Sequence, residues 1–378
     1  MDPVFYHGCQ VLLDGALHTG SGVLVQGGRI AAILPHDASP HADRIALPGE
    51  ALLAPGYVDL QVNGGGGVLF NDDPSAAAAR HIAAAHRQLG TTSILPTLIT
   101  SAPETMRQAA VAATAGAGIL GIHFEGPFLS PARPGVHRPD YIRAPTEDDL
   151  ALLEDVAARC PVLLTLAPEC VPAAALHRLA AAGVILSAGH SAAAFEDVHK
   201  PITGVTHIFN AMPPASARAP GLATAALLGD LFAGVILDGT HVHPAMLRLL
   251  FAIKNPSRIM LVSDSMSVAG TARSEFMLQG RRILRRDGRL VTEDGTLAGA
   301  DLSMAQAVRN AVSLLGLQPP QAIAMATQTP AAFMGLAHEV GRIAPGLRAD
   351  MVLLSPALEV LGTMLAGAFQ PSAAALAA

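Results

Sequence analysis

The sequence predicts an α/β protein: a (β/α)8 barrel carrying a small β-sandwich domain built from both chain ends. Three observations predict it. The chain has 378 residues, room for a barrel of about 250 residues and one smaller unit. From Pro55 onward, eight short β-branched runs alternate with Ala/Leu-rich helical stretches, which is the texture of repeated βα units. Residues 1–53 and the segment from 340 onward carry instead short alternating runs and Gly-rich turns, the chemistry of strands and hairpins.

The expected barrel strands lie at 56–62, 92–98, 119–125, 162–167, 184–189, 204–208, 232–237 and 259–264. Helical patterns fill 74–89, 103–113, 147–158 and 172–182, the first three opened by Asp, Ala-Pro-Glu and Thr-Glu-Asp signals of helix starts. Between the fifth and sixth strands, Lys200-Pro201 cuts the connection, so the helix expected there shrinks to a turn. After the eighth strand, 276–291 with its Gly280 and Asp287-Gly288 turns predicts an inserted hairpin, and helices over 303–315 and 319–328 then close the barrel. The segment 341–354 returns to strand chemistry and is expected to pair with residues 1–53, giving a small domain of 1–53 plus 340–378 beside a barrel of 54–339. The Ala/Ser-rich tail 371–378 is expected to fray.

Composition excludes several classes of function. Charged residues are only 14% and hydrophobic ones 51%, so disorder is excluded. The mean hydropathy of +0.41 raises the question of a membrane protein. However, Gly, Thr or charge interrupts every apolar stretch well short of the roughly 18 residues a helical span needs. A net charge of −6, no Trp, three Tyr and no basic tract argue against nucleic acid. Cys9, Cys160 and Cys170 form no CxxC pair, so neither a disulfide framework nor a thiolate metal site is expected. With a start, MDPVFYHGCQ, that lacks signal-peptide regions, the reading is cytoplasmic.

In such a barrel the active site lies at the C-terminal strand ends. Polar residues there include Gln61 and Asn63 on strand 1, His123 and Glu125 on strand 3, His190 after strand 5 and His207 on strand 6. His241 follows strand 7 and Asp264 ends strand 8. Glu125, His190 and His207 offer one carboxylate and two imidazoles. This set suits Zn²⁺ with one position left open, and Fe²⁺ or Co²⁺ would also fit. Asp264 would then stand across the mouth as proton carrier, or else as a partner that only orients a ligand. His123 shares a strand face with Glu125 and is read as an inward layer beneath the site.

Longer motifs accompany these residues. They are Ala54-Pro-Gly-Tyr-Val-Asp-Leu-Gln-Val-Asn-Gly, Leu95-Pro-Thr-Leu-Ile-Thr, Gly121-Ile-His-Phe-Glu-Gly-Pro-Phe-Leu, Leu166-Ala-Pro-Glu, Ser187-Ala-Gly-His-Ser and Thr206-His-Ile-Phe-Asn-Ala-Met-Pro. Further along come Asp238-Gly-Thr-His-Val, Gly295-Thr-Leu-Ala-Gly and Ala349-Asp-Met-Val-Leu. Over nearly its whole length the chain resembles the amidohydrolase superfamily and, within it, the N-acetylglucosamine-6-phosphate deacetylase family. The resemblance implies hydrolysis of the acetamide of N-acetyl-D-glucosamine 6-phosphate, with Glu125, His190 and His207 as metal ligands and Asp264 as general base and then acid. It places Val136 and His137 on the substrate, His137 near the acetamide carbonyl. Asn210, Ala211, Arg218, His241, Leu297, Ala298 and Gly299 would hold the sugar phosphate, Arg218 reaching over from a second subunit of a homodimer. Taken alone, Arg218 reads equally as an ordinary surface residue.

Many superfamily members carry His-x-His on strand 1 and bind two metals, whereas Gln61 and Asn63 stand here. Neutral amides are weak ligands, so one divalent metal per subunit is expected. The stretch from His190 to His207 is also about four residues shorter than the family leads one to expect. The alternatives are the galactosamine epimer of the substrate, a cyclic-amide or N-acyl amino acid hydrolase, and a metal-free scaffold. The second usually needs the strand 1 His pair and a carboxylated Lys, which are missing here, and the third does not explain the four retained site residues.

Overall fold

The first barrel strand, Tyr57–Val62, is buried at every position, because in a parallel barrel one strand face packs on helices and the other fills the barrel. The structure, a computed structural model, describes residues 2–116, 118–198 and 201–372. With Tyr57–Val62 as β1, the remaining barrel strands are β2 Thr91–Ile99, β3 Ile122–Glu125, β4 Val162–Leu166, β5 Ile185–Ala188, β6 Gly204–Val205, β7 Phe232–Val235 and β8 Ile259–Leu261. Each pairs in parallel with the next. A bridge from Val62 to Ser265, with the Asn63 and Gly64 N–H groups donating to the Ser265 carbonyl at 3.0 and 3.1 Å, nearly closes the ring between β1 and β8. This is a TIM-type barrel, and each of the eight runs expected from the sequence overlaps one of its strands.

Helices α1 Ala76–Arg87, α2 Pro103–Ala112, α3 Glu147–Ala157 and α4 Ala173–Ala181 follow β1 to β4. Their starts obey local rules. Ser75 caps α1 by accepting from the Ala78 N–H at 3.1 Å, and Pro103 opens α2 at a position where its missing N–H costs nothing. Thr146 and Asp149 form a capping box on α3. Arg143 joins it through both carboxylate oxygens of Asp149. Burial opposes ionisation of Asp149, but the Arg143 guanidinium and the Thr146 donors outweigh it and hold the carboxyl below its usual range.

Between β5 and β6 the described residues hold one 3-10 turn, Phe195–Asp197, in keeping with the shortened connection. Lys200, named with Pro201 as the interruption, lies outside the described residues. Helices α5 Gly221–Leu228 and α6 Pro244–Ile253 follow β6 and β7. The buried Lys254 donates to the carbonyls of Ala226 and Gly229 at 2.7 and 3.1 Å, which ties off the end of α5.

Three expectations need correction. The insert after β8 is a three-stranded antiparallel sheet, Glu275–Leu278, Arg281–Arg286 and Arg289–Thr292. Its two turns, at Gly280 and Asp287-Gly288, make three strands where a hairpin would need one turn. The last helix divides into Pro319–Met325 and Gln328–Phe333, since Pro330 lacks an N–H and its ring clashes with a continuing helix one turn earlier. The start of the tail does not fray: Pro371 ends the strand Ala368–Pro371 and pairs with Gly362. Residues 373–378 lie outside the described residues.

The two chain ends meet in a six-stranded sheet, where Leu52–Pro55 sits between Gln10–Leu13 and Met351–Leu354. A four-stranded sheet from residues 4–46 packs on it, with Tyr6, Val23, Val25 and Ile30 facing Val11, Leu53, Met351 and Met364. The three-stranded insert contributes Phe276, Leu278, Ile283 and Leu290 to a separate apolar cluster with Ile99, Met266 and Ala298. That cluster roofs one side of the barrel mouth. Among the described residues, no helix is long and apolar enough to cross a membrane.

Candidate metal centre and active site

Glu125 is the last residue of β3, while His190, His207 and Asp264 each lie two or three residues beyond the ends of β5, β6 and β8. The last three have φ of 47°, 30° and 50°. A non-glycine residue in the left-handed region costs of order 1–3 kcal/mol and persists where the surroundings impose it. Here the sharp turn folds each side chain back over the barrel axis. Gly189 permits the approach, since a Cβ there would lie 2.8 Å from Cγ2 of Thr165.

Three donor atoms converge. His207 Nε2 stands 3.0 Å from Glu125 Oε1 and 3.1 Å from His190 Nε2, and His190 Nε2 is 3.4 Å from Glu125 Oε1. A tetrahedral ion with ligand bonds of about 2.0–2.1 Å separates its donors by roughly 3.3 Å. The triangle therefore fits such an ion. His190 Nδ1 lies 3.0 Å from the Arg133 carbonyl, so that ring edge donates and the Nε2 lone pair faces the cluster. Burial penalises the Glu125 charge, yet His190 and His207 outweigh it and hold the carboxyl well below its usual range. Glu125, His137 and His190 also present ligand atoms within 4.8 Å of one another. Of the two sets, the one with His207 has the spacing of a tetrahedral edge.

Asp264 stands beside this triangle. Its Oδ1 accepts from Asn63 Nδ2 at 2.6 Å and from Gln61 Nε2 at 3.2 Å, and the same Gln61 amide donates to Glu125 Oε1 at 3.0 Å. Gln61 thus spans the two carboxylates, and both strand 1 amides are engaged as hydrogen-bond donors. Burial first, and then the negative Glu125, push the Asp264 carboxyl up to about 7, the range in which a group can both take and return a proton. Burial and the neighbouring His190 push His137 down to about 3, so its ring is neutral. His123 lies one layer below, 2.8 Å from the Thr165 hydroxyl and fully buried in the barrel.

A cavity of about 220 Å³ opens over the cluster. It is lined by Glu125, His190, His207 and Asp264 together with Val136, His137, Asn210, Ala211, His241, Leu297 and Gly299. His241 is oriented by Asp238, whose Oδ2 lies 2.6 Å from its Nδ1 and whose Oδ1 takes the N–H groups of Thr240 and His241, each at 2.8 Å. Two of the residues named in the sequence stand apart. Ala298 is fully buried in the cluster beneath the insert, its N–H donates to the Leu290 carbonyl at 3.0 Å, and it does not line the cavity. Arg218 is exposed and does not line its own chain's cavity.

Sequence reasoning missed the roles of Gln61, Asn63 and Asp238, and the lining supplied by Ile99, Met266 and Thr296. For Gln61 and Asn63 a signal existed, because side chains two apart on a strand share a face. They sit where the superfamily often has ligands.

Residues 52–369 match the amidohydrolase family. The chain belongs to that family. This amidohydrolase is 40% identical over 376 residues to the N-acetylgalactosamine-6-phosphate deacetylase of Shewanella sp. (strain ANA-3), an alignment covering 95% of this chain and 94% of the relative. It is 33% identical over 380 residues to the N-acetylglucosamine-6-phosphate deacetylase of Haemophilus influenzae, with 96% and 97% covered. The crystal structure of N-acetylglucosamine-6-phosphate deacetylase from Pasteurella multocida superposes with a TM-score of 0.93 at 34% identity, covering 98% of this chain and all of that one. The amidohydrolase thus pairs a metal-dependent family with a buried group able to hold an ion.

Proposed function

We propose that this amidohydrolase deacetylates an amino-sugar phosphate, converting N-acetyl-D-glucosamine 6-phosphate and water to glucosamine 6-phosphate and acetate. The observation that carries the reading is the convergence of Glu125, His190 and His207 to 3.0–3.4 Å with Asp264 beside them in one cavity. End-to-end similarity to deacetylases supports it.

Glu125, His190 and His207 would hold one divalent cation per subunit, Zn²⁺ by ligand type, with Fe²⁺ and Co²⁺ as the alternatives. The cation supplies Lewis-acid polarisation when bound. Asp264 takes the proton of the attacking water and returns it to the amide nitrogen, so that the amine leaves neutral. His137, with Val136 beside it, donates to the acetamide carbonyl oxygen as negative charge develops there. Asn210, Ala211, His241 and the 297–299 segment bind the sugar phosphate. The open side of that site is completed by Arg218 of the partner subunit, whose planar fork suits phosphate. The small β-domain, 1–53 plus 340–378, takes no part in the chemistry. Three free cysteines suit a reducing, cytoplasmic setting.

The galactosamine epimer is the second reading, favoured by the 40% identity to a deacetylase of that sugar. Acetate release from both 6-phosphates and from plain N-acetylglucosamine separates these outcomes. We expect both phosphorylated sugars to exceed the plain one in kcat/KM, with the glucosamine form ahead. A faster galactosamine 6-phosphate would select the second reading, and a faster plain sugar would refute the phosphate site. For the homodimer, mixing Arg218→Ala chains with Glu125→Ala chains should restore activity through hybrid sites. No recovery after proven subunit exchange would place Arg218 outside the partner's site.

A further inference from the structure

The motif Leu95-Pro-Thr-Leu-Ile-Thr ends at Thr100, a buried residue just past β2 that the proposed chemistry leaves without a part. Two polar groups of Thr100 meet one atom of His137. The Thr100 main-chain N–H points at His137 Nδ1 at 3.4 Å, and the Thr100 hydroxyl oxygen lies 2.8 Å from the same nitrogen. A main-chain N–H cannot change its role, so Nδ1 must offer it a lone pair. A neutral imidazole carries one proton, and with Nδ1 as acceptor that proton sits on Nε2. The opposite arrangement would set an Nδ1–H head-on against the Thr100 N–H.

The hydroxyl has a rival acceptor, the Glu125 carbonyl at 3.2 Å. Donating there, it would take an Nδ1–H at the same 2.8 Å, so the discriminating contact is the converging Thr100 N–H, which can only donate and selects Nδ1 as acceptor. Room for the hydroxyl comes from Gly126, whose φ is +88° and where a Cβ would fall 2.1 Å from Thr100 Oγ1.

The tautomer matters because His137 lines the cavity and packs edge-on against His190, ring centroids 4.3 Å apart. With its proton on Nδ1, His137 would carry a free lone pair on Nε2, and its ring stands close enough to Glu125 and His190 to compete as a ligand. With it on Nε2, the ring is a hydrogen-bond donor and cannot ligate. We propose that Thr100 is a positioning residue that locks His137 in the Nε2–H form, which keeps it out of the cation's ligand set and aims a donor at the substrate carbonyl. This inference rests on the deacetylase reading for what His137 meets, while the tautomer itself is independent of substrate.

The test uses the Zn²⁺-loaded enzyme labelled with ¹⁵N-histidine, His137 being assigned by the signals lost in His137→Gln. Two-bond ¹H–¹⁵N correlations should show the Nε2–H pattern for His137 in the wild type and in Thr100→Ser. In Thr100→Val an Nδ1–H population should grow and kcat should fall about fivefold, the shift one neutral hydrogen bond is worth, with KM changed less than about twofold. Thr100→Ser should recover most of kcat. An Nδ1–H pattern in the wild type, or a Thr100→Val enzyme with unaltered pattern and kcat, overturns the assignment. Wild-type enzyme that releases no acetate from either 6-phosphate would sink the deacetylase reading, and the ¹⁵N pattern would still decide this one.

Discussion

Asp264→Asn should keep one equivalent of metal and lose at least about a hundredfold in turnover, the usual worth of a positioned acid–base group. The substitution is nearly isosteric. An Asn side-chain oxygen can still accept from Asn63 Nδ2 and Gln61 Nε2, which now meet Asp264 Oδ1 at 2.6 and 3.2 Å. The barrel mouth and the ligand triangle should therefore survive, while the proton carrier is gone. Elemental analysis alongside acetate release checks both halves, and a variant working near the wild-type rate would require another proton carrier.

The pH dependence has a definite sign. Burial and Glu125 raise the Asp264 carboxyl to about 7, so the ionised base grows as pH rises through that value. The rate should climb with pH on the acid side and level off above. A cation held at the triangle favours the ionised form and moves this limb below 7. In Asp264→Asn the acid limb should disappear from whatever activity remains.

The second large effect is expected at a ligand. His190→Ala removes one corner of a triangle whose sides are 3.0, 3.1 and 3.4 Å, and Glu125 and His207 alone make a poor site. Loss of a partner that merely orients a ligand costs roughly 10–100-fold in metal affinity, so loss of the ligand itself should cost at least about a hundredfold. Metal and activity should disappear together after dialysis, against one equivalent in the wild type. Thermal unfolding in chelator controls for folding, since position 190 keeps its left-handed φ of 47°. A fully loaded His190→Ala chain would mean that His137 or another group completes the site.

Much of the fold was legible because its signals are local. The continuous apolar run around Val162–Leu166, the Thr146 capping box and the Gly280 and Asp287-Gly288 turns are set by residues within a few positions of each other. Where a local signal met a competing one, reading it in isolation failed. Pro330 broke a helix whose apolar pattern continued, and Pro371 entered a strand because Gly362 was there to pair with it. In the site, the ligand candidates were visible because carboxylate and imidazole at strand ends have few uses in such a barrel. Amides and hydroxyls have many, so Gln61 and Thr100 carried no comparable mark.

By itself the sequence determined the succession of strands and helices, and with it which polar side chains would reach the barrel mouth, since periodicity and strand ends are properties of short segments. Only the tertiary structure decided what those side chains do to one another. Gln61 joins Glu125 and Asp264 across 64 and 203 positions of chain, and Thr100 meets His137 across 37. Such contacts depend on ångström-scale closure of the ring and on left-handed turns at His190, His207 and Asp264, which packing imposes against local preference.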